Sequence, residues 1–167
     1  MSEITVAITL ASRRWRAALP GAKAVAEAAA RAALKRVYRG RVPAGGVELS
    51  LVLGDDPMVR GLNRQWRGQD RPTNVLSFAT GERPRAERPL LLGDVVLAYE
   101  TVRRESLEQM KPLADHLAHL VTHGVLHLVG YDHEAASEAR RMETLERRIL
   151  AELGVPDPYG ARAGADV

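Results

Sequence analysis

Two histidines four residues apart, His123 and His127, followed by Gly130 and a further histidine at His133, constrain this chain more than any other part of it. The segment reads HGVLHLVGYDH. A spacing of four puts two side chains on one face of an α-helix, about 6 Å apart along the axis, so both imidazoles reach the same volume. Gly130 predicts the end of that helix, because glycine takes the left-handed backbone that reverses a chain without a Cβ clash. Tyr131 and Asp132 then form a short turn that swings His133 back over the first two rings. Three neutral imidazoles make a typical catalytic zinc set, in which the fourth position is left to water or substrate. The expected metal ligands are therefore His123, His127 and His133, at the C-terminal end of a central helix.

The metzincin proteases use the same spacing, H-E-x-x-H-x-x-G-x-x-H. Here Gly124 stands where those enzymes place their general-base glutamate, and Glu134 follows the last histidine and points away, which argues against a peptidase. His116 and His119 lie upstream on the same helix, so a histidine-rich, partly buried helix without metal is the plain alternative. Against it stand the apolar neighbours Val125, Leu126, Leu128 and Val129, among which several unpaired imidazoles would be costly to bury. A straight helix cannot wrap three consecutive turns around one small ion. His116 and His119 are accordingly read as groups behind the ligands or facing solvent.

The absence of cysteine excludes disulfides and thiolate metal sites, and leaves histidine and carboxylate as the strong ligands. No apolar run approaches the roughly 18 residues of a membrane span, and the charge order of MSEITVAITLASRRW does not suit a signal peptide. A soluble, cytoplasmic protein is expected, with no membrane partner. The net charge is only +3, but of 24 basic residues all except Lys23, Lys35 and Lys111 are arginine. They cluster at Arg13-Arg14-Arg16, Arg83-Arg85-Arg88, Arg103-Arg104 and Arg140-Arg141. Arginine pairs with phosphate in bidentate fashion and stacks on bases, which suits an RNA partner. Solvated helix faces and genome base content produce the same composition.

Periodicity orders the elements. Ile4 to Leu10 and Val47 to Leu53 alternate as strands, and Pro20 to Arg39 is an alanine-rich helix stopped by Gly40. Asp55 or Asp56 caps a helix that runs to about Trp66, with Met58, Leu62 and Trp66 on one face. Asn74 to Ala79 and Leu90 to Ala98 read as strands, Tyr99 to Gln109 as a helix, Pro112 as the start of the histidine-bearing helix, and Glu138 to Leu153 as a final amphipathic helix. The fold class expected is α+β: a single domain over residues 1–155, with about four strands in a mixed sheet packed against about five helices. A disordered tail is expected over 156–167. Gly81 to Pro89, GERPRAERP, is a polar loop, either an ordinary surface loop or a mobile lip beside the site.

Three blocks in this order, LNRQWRGQDRPTNVLSF (Leu62 to Phe78), LLGDVVL (Leu91 to Leu97) and HGVLHLVGYDH, resemble the bacterial YbeY family of rRNA maturation factors, metal-dependent single-strand endoribonucleases. The upstream HLAH, His116 to His119, also fits that family's helix. The resemblance covers roughly Val47 to Tyr159; the N-terminal third matches only as a strand-helix pattern. It implies metal ligation by His123, His127 and His133, an essential arginine at Arg67, and the acidic member of a Gly-Asp pair at Asp94. It also implies a zinc-dependent endoribonuclease acting on single-stranded RNA, with a role in 16S rRNA 3′-end maturation and ribosome quality control. The implied partners are rRNA and the ribosomal small subunit or its proteins, and no DNA. Trp66 replaces a usual tyrosine and Ala79 a common proline; the first bears on substrate preference.

The chemistry stands beside the resemblance. Phosphodiester hydrolysis needs a strong nucleophile at neutral pH and relief of the charge that builds on the phosphorane. A trihistidine metal lowers the pKa of bound water to about 7 and acts as a Lewis acid. One Zn2+ per chain is expected, although imidazole sites also accept nickel or another divalent metal. His123, Arg67 and Asp94 are the expected catalytic residues, with Arg67 adding positive charge beside the phosphate. The ordinary alternative for Arg67 is a salt bridge to Asp70 or a contact at a helix C-terminus. Asp94 is expected to orient a ligand histidine by accepting its second N–H, and Asp132 to do the same or to cap the turn. Thr73 and Asn74 either donate to phosphate or close a turn. Two rivals stand beside the endoribonuclease: another metallohydrolase, and a non-catalytic ribosome assembly factor with a structural metal.

Overall fold

Four apolar segments pair into one mixed sheet in a computed structural model that describes residues 3–85, 87–132 and 134–160. The strands are β1 (Ile4–Leu10), β2 (Val47–Gly54), β3 (Val75–Ala79) and β4 (Leu90–Ala98), in the spatial order β1-β2-β4-β3. β1, β2 and β4 run parallel, and β3 closes one edge antiparallel to β4. The last four residues of β4, Val95 to Ala98, are all buried, as a strand covered on both faces requires. Gly93, just before them, has a φ of 134°, and a Cβ there would collide with the carbonyl oxygen of Phe78. The glycine of the Gly-Asp pair is thus what lets β3 approach β4.

The helices are α1 (Arg13–Ala18), α2 (Ala22–Tyr38), α3 (Asp56–Arg67), α4 (Tyr99–Glu108), α5 (Leu113–Leu128) and α6 (Ala136–Glu152). The single α+β domain with a four-stranded mixed sheet is as expected, but the described residues form one helix more than the sequence pattern predicts. The additional one, α1, is too short to display a helical period. Ser12 caps it, and its buried Trp15 donates from Nε1 to the Gly54 carbonyl at 2.8 Å.

One face of the sheet carries α2, α5 and α6 around the main core. Buried alanines on α2, from Ala22 to Ala33, let that helix lie close to α5. The other face carries α3 over Leu76, Val96 and Ala98. The stripe expected on α3 is displaced by one residue. Val59 and Asn63 point inward, whereas Met58 is exposed and Trp66 is 66% exposed. Asn63 is drawn in because its amide donates to the Arg71 carbonyl at 2.9 Å, closing the loop that follows α3.

The central helix is α5, apolar and buried around most of its circumference. It meets the sheet most closely at Gly124. A Cβ at that position would stand 2.7 Å from Val95 Cγ1 and 3.1 Å from Ser77 Oγ. The expected tail starts at Pro156; residues 156–160 are described and lie against α6 through the Arg147–Asp157 ion pair at 3.1 Å, while 161–167 lie outside the described residues. Among the described residues no helix is long and apolar enough to cross a membrane. Overpacking at the closest approach should be costly: Gly124→Val is expected to lose about 1–3 kcal/mol of stability. Urea unfolding would register this as a lower midpoint with an unchanged slope.

Candidate functional site

The apolar flanks of α5 fix its rotation on the sheet, and that rotation turns His119, His123 and His127 toward a cleft of about 540 Å³. Residues 73–77, at and before the start of β3, form the facing wall, joined by Ala79, Leu120, Arg67 and Tyr159. The helix ends as the sequence predicts. Gly130 has a φ of 102°, and the Tyr131 N–H returns to the Leu126 carbonyl at 3.0 Å.

His123 Nε2 and His127 Nε2 stand 3.1 Å apart, with the rings edge-on at a centroid distance of 4.6 Å. A tetrahedral ion bound at the usual zinc–nitrogen distance would separate two ligand nitrogens by roughly 3.3 Å. These two donors therefore fit one small cation. The third expected ligand, His133, lies outside the described residues. Among the described residues no group of three metal-ligating side chains is assembled. Gly124, between the two histidines, faces Val95 and Ser77 with no room for a side chain, so the position that carries a protease's glutamate cannot serve this cleft.

Arg67 ends α3, and Gly68 reverses the chain behind it in the left-handed conformation. The guanidinium donates from Nη2 to the Ser77 carbonyl at 3.1 Å and lies 5.8 Å over the Phe78 ring. Asp70 is engaged by Arg60 instead, at 2.8 and 3.1 Å. Arg67 therefore lines the same cleft as the histidines although the two come from different helices and different faces of the sheet.

Asp94 is not brought to this cleft. Its neighbour Val95 touches α5, so strand alternation sends the exposed Asp94 side chain to the opposite face, alongside Phe78. The carboxylate that meets His123 is Glu146 of α6, whose Oε1 lies 2.6 Å from His123 Nδ1. Glu146 is 0% exposed, and its Oε2 accepts the Tyr159 hydroxyl at 2.5 Å. Burial would raise this carboxyl, but His119 at 3.8 Å, hydrogen bonds from His123 and Tyr159 and the charge of His123 hold it at about 2, so it is an anion. The Tyr159 hydroxyl is pushed up by burial and by that carboxylate. A signal for Glu146 exists in the sequence: Met142, Glu146, Ile149 and Leu150 form the buried stripe of α6, so an acid occupies an apolar position.

Of the two upstream histidines, His119 lines the cleft and His116 does not. His119 is largely buried beside Tyr159, with ring centroids 5.6 Å apart. His116 is buried, and its Nε2 meets Glu105 Oε1 at 2.9 Å. Asn74 Nδ2 donates to the same carboxylate at 3.0 Å, so Asn74 ties the start of β3 to α4. Thr73 lines the cleft. Asp132 Oδ1 accepts from the Glu134 N–H at 3.2 Å, the pattern of a turn. None of the described residues of the 81–89 loop lines the cleft.

The family described as Endoribonuclease YbeY matches residues 15–154. The chain belongs to that family. An Endoribonuclease YbeY of Paramagnetospirillum magneticum is 52% identical over 161 residues, which cover 94% of this chain and 96% of the relative. Another, of Azorhizobium caulinodans, is 53% identical over 146 residues, covering 87% of this chain and 91% of the relative. Among solved structures, the solution structure of TM1509 from Thermotoga maritima matches with a TM-score of 0.54 at 25% identity, covering 89% of this chain and 91% of that one. In this chain the wall of the cleft opposite the histidines rests on Glu105 through Asn74. Burial would raise the Glu105 carboxyl, but hydrogen bonds to His116 and Asn74 lower it below the ordinary carboxylate range. A depressed carboxyl contributes stability that is present above its unfolded pKa and lost as pH falls through the folded one. Glu105→Gln is accordingly expected to flatten the acid limb of stability below about pH 4.5, read by urea unfolding across that range.

Proposed function

We propose that this cleft cleaves single-stranded RNA, as a zinc-dependent endoribonuclease that serves 16S rRNA 3′-end maturation and ribosome quality control. The observation that carries the reading is the convergence of Arg67 with His123 and His127 on one open cleft whose lining, among the described residues, contains no acidic side chain. The family name agrees with it. His123, His127 and His133 would hold the ion, which when bound supplies a water of lowered pKa and a Lewis acid for a phosphate oxygen.

The chain's own groups divide the remaining work. Arg67 places a fixed positive charge at the rim. Its contact with the Ser77 carbonyl sets the guanidinium plane and leaves donors for a phosphate oxygen, where charge grows as the phosphorane forms. The acid-poor lining avoids repelling the RNA backbone, and the negative Glu146 sits behind His123 rather than in the cleft. Stacking surfaces such as the exposed Trp66, next to Arg67, suit unpaired bases rather than a duplex. Ribosomal RNA and small-subunit proteins are the partners that fit an arginine-rich chain of this size.

Cleavage of a labelled single-stranded RNA by wild type, His123→Ala and Arg67→Ala, purified in parallel, tests the reading. His123→Ala is expected to abolish cleavage, and Arg67→Ala to lower kcat/KM on the order of 10²-fold with the fold intact. Equal cutting by all three would overturn it. Chelation is expected to stop cleavage without unfolding the chain; collapse of the fold would instead mark a structural ion and an assembly factor. RNA affinity should fall steeply and log-linearly with added salt, as binding through phosphate contacts requires.

A further inference from the structure

Glu146 occupies the buried stripe of α6, where an ionised acid persists only if both oxygens are engaged. His123 Nδ1 and the Tyr159 hydroxyl meet one oxygen each. We propose that Tyr159 and Glu146 form a relay of positioning residues that selects which nitrogen of His123 faces the cleft, so that the segment after α6 completes the site. The inference rests on the metal reading given above.

A carboxylate can only accept hydrogen bonds, so the 2.6 Å contact requires the proton of His123 to sit on Nδ1. In the neutral ring the lone pair then lies on Nε2, the nitrogen that stands 3.1 Å from His127 Nε2. The tautomer suited to ligation is thus set from behind, by a residue on another helix. Tyr159 fixes the carboxylate in turn. Its single proton goes to Glu146 Oε2, so at the 3.4 Å contact with His119 Nε2 the phenol oxygen accepts.

The tyrosine itself is held by two contacts independent of Glu146, and an ion pair joins the two residues that make them. Its N–H donates to Asp157 Oδ1 at 2.8 Å, Asp157 pairs with Arg147, and the Arg147 guanidinium lies 5.3 Å over the Tyr159 ring. Arg147 follows Glu146 directly on α6. The segment is therefore anchored beside the carboxylate it serves, and its ring still lines the cleft. A tyrosine with a packing role alone would need neither the cleft position nor a hydroxyl aimed at a buried anion.

The test combines two readouts that do not depend on cleavage. Nitrogen NMR of the metal-free chain, labelled at histidine, reports the tautomer of His123, and competition with a chromophoric chelator reports the zinc dissociation constant. Wild type is expected to show the Nδ1–H tautomer. Glu146→Gln should mix the tautomers and weaken zinc binding by about 10–100-fold, and Tyr159→Phe, which keeps the ring, by about 3–10-fold. An Nε2–H tautomer in wild type overturns the relay, as do folded variants that bind zinc within about twofold of wild type. If Glu146→Gln does not fold, the wild-type tautomer and Tyr159→Phe decide. If wild type takes up no zinc, the metal reading fails, and the tautomer alone decides the relay.

Discussion

Ser77 is the joint on which the site depends. Its hydroxyl donates to the Gly124 carbonyl of α5 at 3.1 Å, and its own carbonyl receives Arg67 at 3.1 Å. One residue of an edge strand thus references the histidine helix on one side and the Arg67 guanidinium on the other. The joint works because Gly124 has no side chain: the helix can descend onto Val95 until the serine hydroxyl reaches its backbone. Glycine in mid-helix costs about 1 kcal/mol of propensity relative to alanine, and here the close packing of α5 on the sheet offsets it.

Charge is layered around that joint. The front of the cleft presents Arg67 and imidazoles, while Glu146 lies behind His123 and Glu105 lies under the opposite wall, where it holds Asn74 and His116; histidine hydrogen bonds help to keep both ionised. An anionic polymer entering from the front meets donors first. The buried Glu146 acts on it only through the ring it holds, which is how a site can order an imidazole without repelling phosphate.

The sheet, the long helices and the histidine pair were legible because each depends on local periodicity. Alternation in Ile4 to Leu10, the alanine stripe of α2 and the spacing of His123 and His127 require no knowledge of partners. What depended on tertiary contact was not legible. The short α1 exists because Trp15 reaches the Gly54 carbonyl, and α3 rotates toward Val59 and Asn63 because Asn63 closes a loop. The Gly-Asp pair does not reveal which side of β4 Asp94 takes; the contact of Val95 with α5 does. Glu146 was visible as an acid on an apolar stripe, yet its meaning came only from the crossing of α6 behind α5.

Diffraction from crystals soaked with zinc and an uncleavable single-stranded RNA, collected at the zinc absorption edge, addresses the site most directly. One anomalous peak is expected between His123 Nε2 and His127 Nε2, with His133 as a further ligand and a phosphate between the ion and Arg67. A peak elsewhere, or RNA bound away from the histidines and Arg67, would contradict the assignment of this cleft as the ribonuclease site.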